Sequence, residues 1–134
     1  MATARLLTAS CTTGWGDWIH GELWLLPEGL LRVRSSLRQT FVHQNRRTVP
    51  DTPVVWDVDE DALAQICRAH KTNLWIPAKD IVSAELRDGL TTSRVSLTMT
   101  GERRVKLLWL SKDPALAPIR EALERWGCLA ATRM

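Results

Sequence analysis

The chain has no tyrosine, one phenylalanine, three cysteines and three histidines, and these scarcities exclude several classes of protein. Cys11, Cys67 and Cys128 are odd in number and lack any C-x-x-C spacing, which removes a disulfide framework and a zinc knuckle and fits a reducing cytoplasm. His20, His43 and His70 are scattered, with no His-x-x-x-His or His-Glu pair to hold a metal, so neither metal nor cofactor is expected. No apolar run approaches the ~20 residues of a membrane-spanning helix, because the longest stretches break at Arg, Asp or Pro. The opening Met1–Ser10 offers only Leu6-Leu7 as an apolar core, too short for a secretory signal, and reads as a tail. Internal repeats and low-complexity segments are lacking as well.

What is present belongs to one globular domain: 134 residues, 45% hydrophobic and 25% charged. We expect a tail over residues 1–16 and a single domain over 17–134. The net charge of +3 allows weak attraction to anionic lipid or nucleic acid and demands neither. Charge is unevenly spread. Residues 29–50 carry Arg32, Arg34, Arg38, Arg46 and Arg47 without one acid, whereas Asp57, Asp59, Glu60 and Asp61 cluster within five positions. Arginine outnumbers lysine 14 to 4, the preference of a GC-rich bacterial genome.

Hydrophobic periodicity predicts the elements. Gly21–Leu26 and Leu30–Arg34 flank Pro27-Glu28-Gly29 as a hairpin, and the alternation of Leu31 and Val33 with Arg32 and Arg34 predicts a strand with one wet face. Thr40–His43 and Val54–Trp56 read as short strands around an exposed polar turn. From Asp57 the spacing of Ala62, Leu63, Ile66, Cys67 and His70 predicts a helix over about 59–70, with Asp57 and Glu60 at capping-box spacing and a narrow stripe suited to the sheet margin. Leu74–Pro77 precedes a strand over Asp80–Arg87, on which Val82, Ala84 and Leu86 share a face. Ser93–Met99, the turn Thr100–Arg103 and Arg104–Leu110 form a second hairpin. A last helix starts at Asp113 and Pro114, stops at Gly127, and presents Leu116, Ile119, Ala122, Leu123 and Trp126 as one stripe.

Successive hairpins, Ile76-Pro-Ala-Lys-Asp-Ile81 before a strand, a Gly-turn hairpin and one closing amphipathic helix resemble the pleckstrin-homology-like superfamily, its bacterial and GRAM-type members above all. The resemblance covers residues 74–127 and the hairpin Gly21–Arg34. It implies an α+β, mainly antiparallel fold: a strongly bent sheet, a partly open barrel, capped by the C-terminal helix, with Trp109 and Trp126 meeting in the core and the helix near 59–70 as an addition to the family plan. Lipid-binding members carry a Lys ahead of a K/R-x-R triplet around the first hairpin loop. Arg32-Val33-Arg34 matches the triplet, but Pro27-Glu28-Gly29 brings an acid and no preceding Lys, so half of that motif is missing.

The candidate contact residues follow. Arg32, Arg34, Arg38, Arg46 and Arg47 could bind a phosphate, an anionic lipid or an acidic partner; their bland alternative is a solvated sheet face. Trp24, Trp56, Trp75, Trp109 and Trp126 fall on strands or the helix stripe and read as core, whereas Trp15 and Trp18 lie in a Gly-rich segment and suit a protein contact. No catalytic residue is expected: Cys67 and His70 at i,i+3 read as a packed thiol beside a surface His, and Asp57–Asp61 lacks the later Glu of a calcium loop. The sequence thus predicts a non-enzymatic binding or assembly module, making protein contacts or self-associating, in the cytoplasm or at the inner membrane face. The alternative is an anionic membrane or phosphate ligand held by the arginine patch. An enzyme ranks third, and a nucleic-acid partner is not expected.

Overall fold

The structure is a computed structural model and describes residues 2–13, 21–33, 55–69 and 73–133. The chain is α+β. Its strands are β1 (Ala2–Cys11), β2 (Gly21–Leu26), β3 (Gly29–Val33), β4 (Val55–Val58), β5 (Leu74–Pro77), β6 (Ile81–Arg87), β7 (Thr92–Met99), β8 (Arg104–Leu110) and β9 (Leu129–Arg133), with helices α1 (Glu60–Ala69) and α2 (Leu116–Arg125). They form two sheets, in the orders β4-β1-β2-β3-β5 and β8-β7-β6-β9, rather than one closed barrel. Every pairing is antiparallel except β6 with β9.

The first hairpin forms where the turn residues place it. Leu26 pairs with Gly29 across Pro27-Glu28. Glycine is required there, because a Cβ on Gly29 would come within 2.2 Å of the Ile76 carbonyl oxygen on neighbouring β5. The second hairpin pairs Thr98 with Arg104 and Thr92 with Leu110, burying Val95, Leu97, Met99, Leu107 and Trp109. Both sheets contribute to the main core, which lies between them and takes in Leu7, Leu23, Leu30, Ile76, Leu86, Leu97, Leu107 and Trp109.

Helix α2 seals this core as its stripe predicts. Ile119, Ala122 and Leu123 are fully buried, at roughly 1.5–3 kcal/mol for each of the two larger side chains, while Leu116 and Trp126 pack at the rim. Trp109 and Trp126 therefore share one cluster, but Trp126 sits at its edge, where its Nε1–H donates to the Pro27 carbonyl at 3.2 Å. The helix ends at Gly127, whose φ of +73° lets Gly127 N–H reach the Glu124 carbonyl and Cys128 N–H the Leu123 carbonyl. Its start differs from expectation. Asp113 does not cap; its carboxylate instead accepts hydrogen bonds from Thr8 Oγ1 at 2.5 Å and Ser10 Oγ at 2.6 Å. Ser10 Oγ in turn accepts from the Leu110 N–H, and Thr12 and Leu108 exchange two backbone hydrogen bonds of 2.9 Å, so the end of β1 is stitched to β8, the edge strand of the second sheet.

Several expectations are corrected. The N-terminal segment read as a tail is β1, a ten-residue strand lying between β4 and β2. The helix near 59–70 lies across a face of the first sheet and not on its margin: Ala62, Leu63, Ile66 and Cys67 pack on a second cluster of Leu6, Trp24, Leu26, Leu31 and Val33. It is capped by Asp59, whose Oδ1 accepts the Ala62 N–H at 2.8 Å, because Asp57 is still within β4. Val82 does not join Ala84 and Leu86. A bulge between Ile81 and Ser83 buries Ile81 and leaves Val82 63% exposed. Strand β9 had no counterpart in the sequence pattern. The readings of Thr40–His43 and of the following turn lie outside the described residues. No helix among the described residues is long and apolar enough to cross a membrane.

Candidate functional site

Of the predicted arginine patch only Arg32 lies among the described residues, and it does not face solvent. Arg32 is fully buried, on the same face of β3 as Leu30 and thus between the two sheets; its Nη2 donates to the Cys11 carbonyl at 3.1 Å, and its guanidinium passes so close to Gly21 that a Cβ there would lie 2.9 Å from Nε. The wet face inferred from the Leu-Arg-Val-Arg alternation is not found at Arg32: α1 covers Leu31 and Val33 on one side of β3, and Arg32 is buried on the other side with Leu30. Arg34, Arg38, Arg46, Arg47, Trp15 and Trp18 lie outside the described residues.

Strand register brings a different set of cations together. Arg87, the last residue of the inner strand β6, is directly opposite Arg94 on β7 and Arg133 on β9. Side chains alternate across a strand, so with Leu86 and Val95 in the core these arginines share the outer face. They line one concavity of about 220 Å³ together with Glu85 and Ser96. The adjacent row along the strands runs Lys106, Ser96, Glu85. Asp88, next in sequence to Arg87, is drawn the other way: its Oδ1 accepts from Ser93 Oγ at 3.1 Å, and Ser93 is on the buried face of β7. Among the described residues Glu85 is therefore the one carboxylate that lines the concavity beside three guanidinium groups.

Like charges directly opposite one another on paired strands destabilise a sheet, and water and salt only moderate the effect. Arg87 faces such a neighbour on both sides. The arrangement stores a demand for negative charge on a rigid surface, since β6 is hydrogen-bonded on both flanks. Sequence reasoning missed it because Arg87, Arg94 and Arg133 come from three separate strands and no local pattern joins them.

Two other concavities have less to recommend them as recognition sites. One of about 280 Å³ between α1 and β5 is bordered by Leu63, Cys67 and Trp75 and is mostly apolar. Burial pushes the Cys67 thiol up from its ordinary pKa, outweighing a backbone hydrogen bond at Trp75, and burial does the same at Cys128. Thiols held in this way are poor nucleophiles. His70, the neighbour weighed as a base for Cys67, lies outside the described residues. The other, of about 260 Å³, sets Leu74 and Trp75 against Arg103, Arg104 and Lys106, whose charges spread along one strand end instead of across strands. Among the described residues no group of three or more His, Cys, Asp and Glu is placed to hold a metal ion. Compared with models of known protein families and with curated proteins, the chain matches none.

Proposed function

We propose that the chain is a non-enzymatic binding module of pleckstrin-homology-like build, and that it recognises an anionic partner through the outer face of β6, β7 and β9. The build is supported by element order: a hairpin, a corner at the 3-10 turn Ala78–Asp80, three further strands linked by hairpins and a helix packed into the core, with β4 and α1 inserted between β3 and β5. Strand β9 departs from that plan. The binding reading is carried by one observation, the register that sets Arg87 against both Arg94 and Arg133. It sets an anion contact on the second sheet, apart from the one expected of the 32–47 segment, of which only Arg32 is described. Self-association is a second reading, favoured by β9, which ends its sheet with one edge unpaired among the described residues.

Retention on immobilised heparin and on immobilised polyglutamate tests the anionic face. Replacing Arg87, Arg94 and Arg133 together by Gln is expected to lower the eluting salt concentration well below that of a control with the same charge loss, Arg103, Arg104 and Lys106 to Gln. Equal elution of the two variants overturns the reading. The first variant should also gain about 0.2–1 kcal/mol of stability at low salt for each opposed pair relieved, read from the urea midpoint. Recognition would then be traded against stability at the same three side chains.

A further inference from the structure

The geometry points to a specific class of anion for this concavity: a doubly charged phosphate group, as on a phosphomonoester. The inference rests on the anionic-face reading and narrows it. Among the described residues, three guanidinium groups less the Glu85 carboxylate give the concavity a formal charge of +2, which a phosphate dianion neutralises and a carboxylate does not. Oxygen number agrees with charge. A terminal phosphate group offers three free oxygens, and each of the three arginines can present a planar fork of N–H donors to one of them. A carboxylate has two oxygens, so it would leave one arginine facing its neighbour uncompensated.

The scaffold fits the same ligand. Neighbouring strands run about 4.8 Å apart, so Arg94 and Arg133 flank Arg87 at distances their side chains easily span, and all three can converge over the middle strand. Ser96 adds a hydroxyl donor at the wall. Glu85, one row along β6 from Arg87, repels an anion that slides along the strand and so confines the group to the arginine row. The phosphate could be carried by a soluble phosphomonoester or by a lipid headgroup; the recognition chemistry is shared.

Titration of the whole chain with monomethyl phosphate and with vesicles of phosphatidylcholine containing phosphatidic acid separates these sources. Binding is followed by the arginine side-chain N–H resonances and by vesicle sedimentation. Monomethyl phosphate is expected to bind about tenfold or more tightly than acetate or the monoanionic dimethyl phosphate, since hydrogen bonds to a charged group and the second charge both count. Arg94→Gln should lose about tenfold in affinity, and Arg94→Lys should recover only part of it because the fork is gone. Binding to both probes, or to monomethyl phosphate alone, supports a soluble ligand; sedimentation with phosphatidic acid vesicles alone supports a headgroup. If neither probe binds while heparin and polyglutamate retention still depends on the three arginines, the phosphate assignment falls and the anionic-face reading survives. If that dependence is also missing, both fall. Unchanged affinity in Arg94→Gln, with its circular dichroism intact, overturns the assignment as well.

Discussion

Trp109→Ala is expected to remove about 3–5 kcal/mol of stability, the usual range for truncating a large aromatic in a packed core. Trp109 is fully buried on β8, in the cluster that takes side chains from both sheets and from α2. Domains of this size are stable by only about 5–15 kcal/mol, so the loss should bring the urea midpoint down steeply. Trp109→Phe makes the sharper comparison. The indole Nε1–H is buried with no acceptor among the described residues, and an unsatisfied buried donor costs roughly 1–3 kcal/mol. Phenylalanine keeps much of the ring and removes that donor, so its cost should be no more than about half that of alanine. Equal losses in the two variants, followed by circular dichroism, would show that the N–H is engaged after all.

Arg32→Ala is expected to cost about 2–5 kcal/mol, comparable to emptying a buried aliphatic site, because its stem fills space between the sheets and its guanidinium donates to the Cys11 carbonyl. Arg32→Met, which keeps the volume and gives up the charge, should retain most of the stability. Neither change should alter heparin elution below the melting temperature. That outcome is the reverse of what Arg32-Val33-Arg34 predicts when read as a surface triplet, where alanine would spare the fold and weaken anion binding. A folded Arg32→Ala protein of native stability with impaired heparin retention would place Arg32 at the surface and contradict its burial.

The elements legible in the sequence are those whose local pattern and tertiary fate agree. Val95, Leu97 and Met99 alternate and are buried on one face; the stripe Ile119, Ala122, Leu123 meets the core; Gly127 stops its helix with a positive φ. Where pattern and fate part, the reading fails for a physical reason. Strand β1 is hidden in Ala2–Cys11 because two of its buried positions, Thr8 and Ser10, are polar and donate to Asp113, more than 100 residues away. Arg32 reads as water-facing because charged residues are rarely buried, and only its tertiary surroundings, where it donates to the Cys11 carbonyl, reveal its burial. The arginine row was illegible for a third reason: register is a property of paired strands. Arg87 and Arg94, on either side of a short loop, are the part a hairpin alignment could have found; Arg133 needs the parallel return of β9.

That return follows from the way α2 stops. Gly127 turns the chain so that Cys128 and Leu129 enter the sheet beside Ala84, and the strand begun there delivers Arg133 four residues on. The third cation of the outer face is thus tethered to the plug of the inner one. An anion gripping all three arginines would hold down the exit of α2 at the same time, so occupancy outside and anchorage inside become linked equilibria: ligand raises the cost of pulling the plug, and loosening the plug weakens the grip.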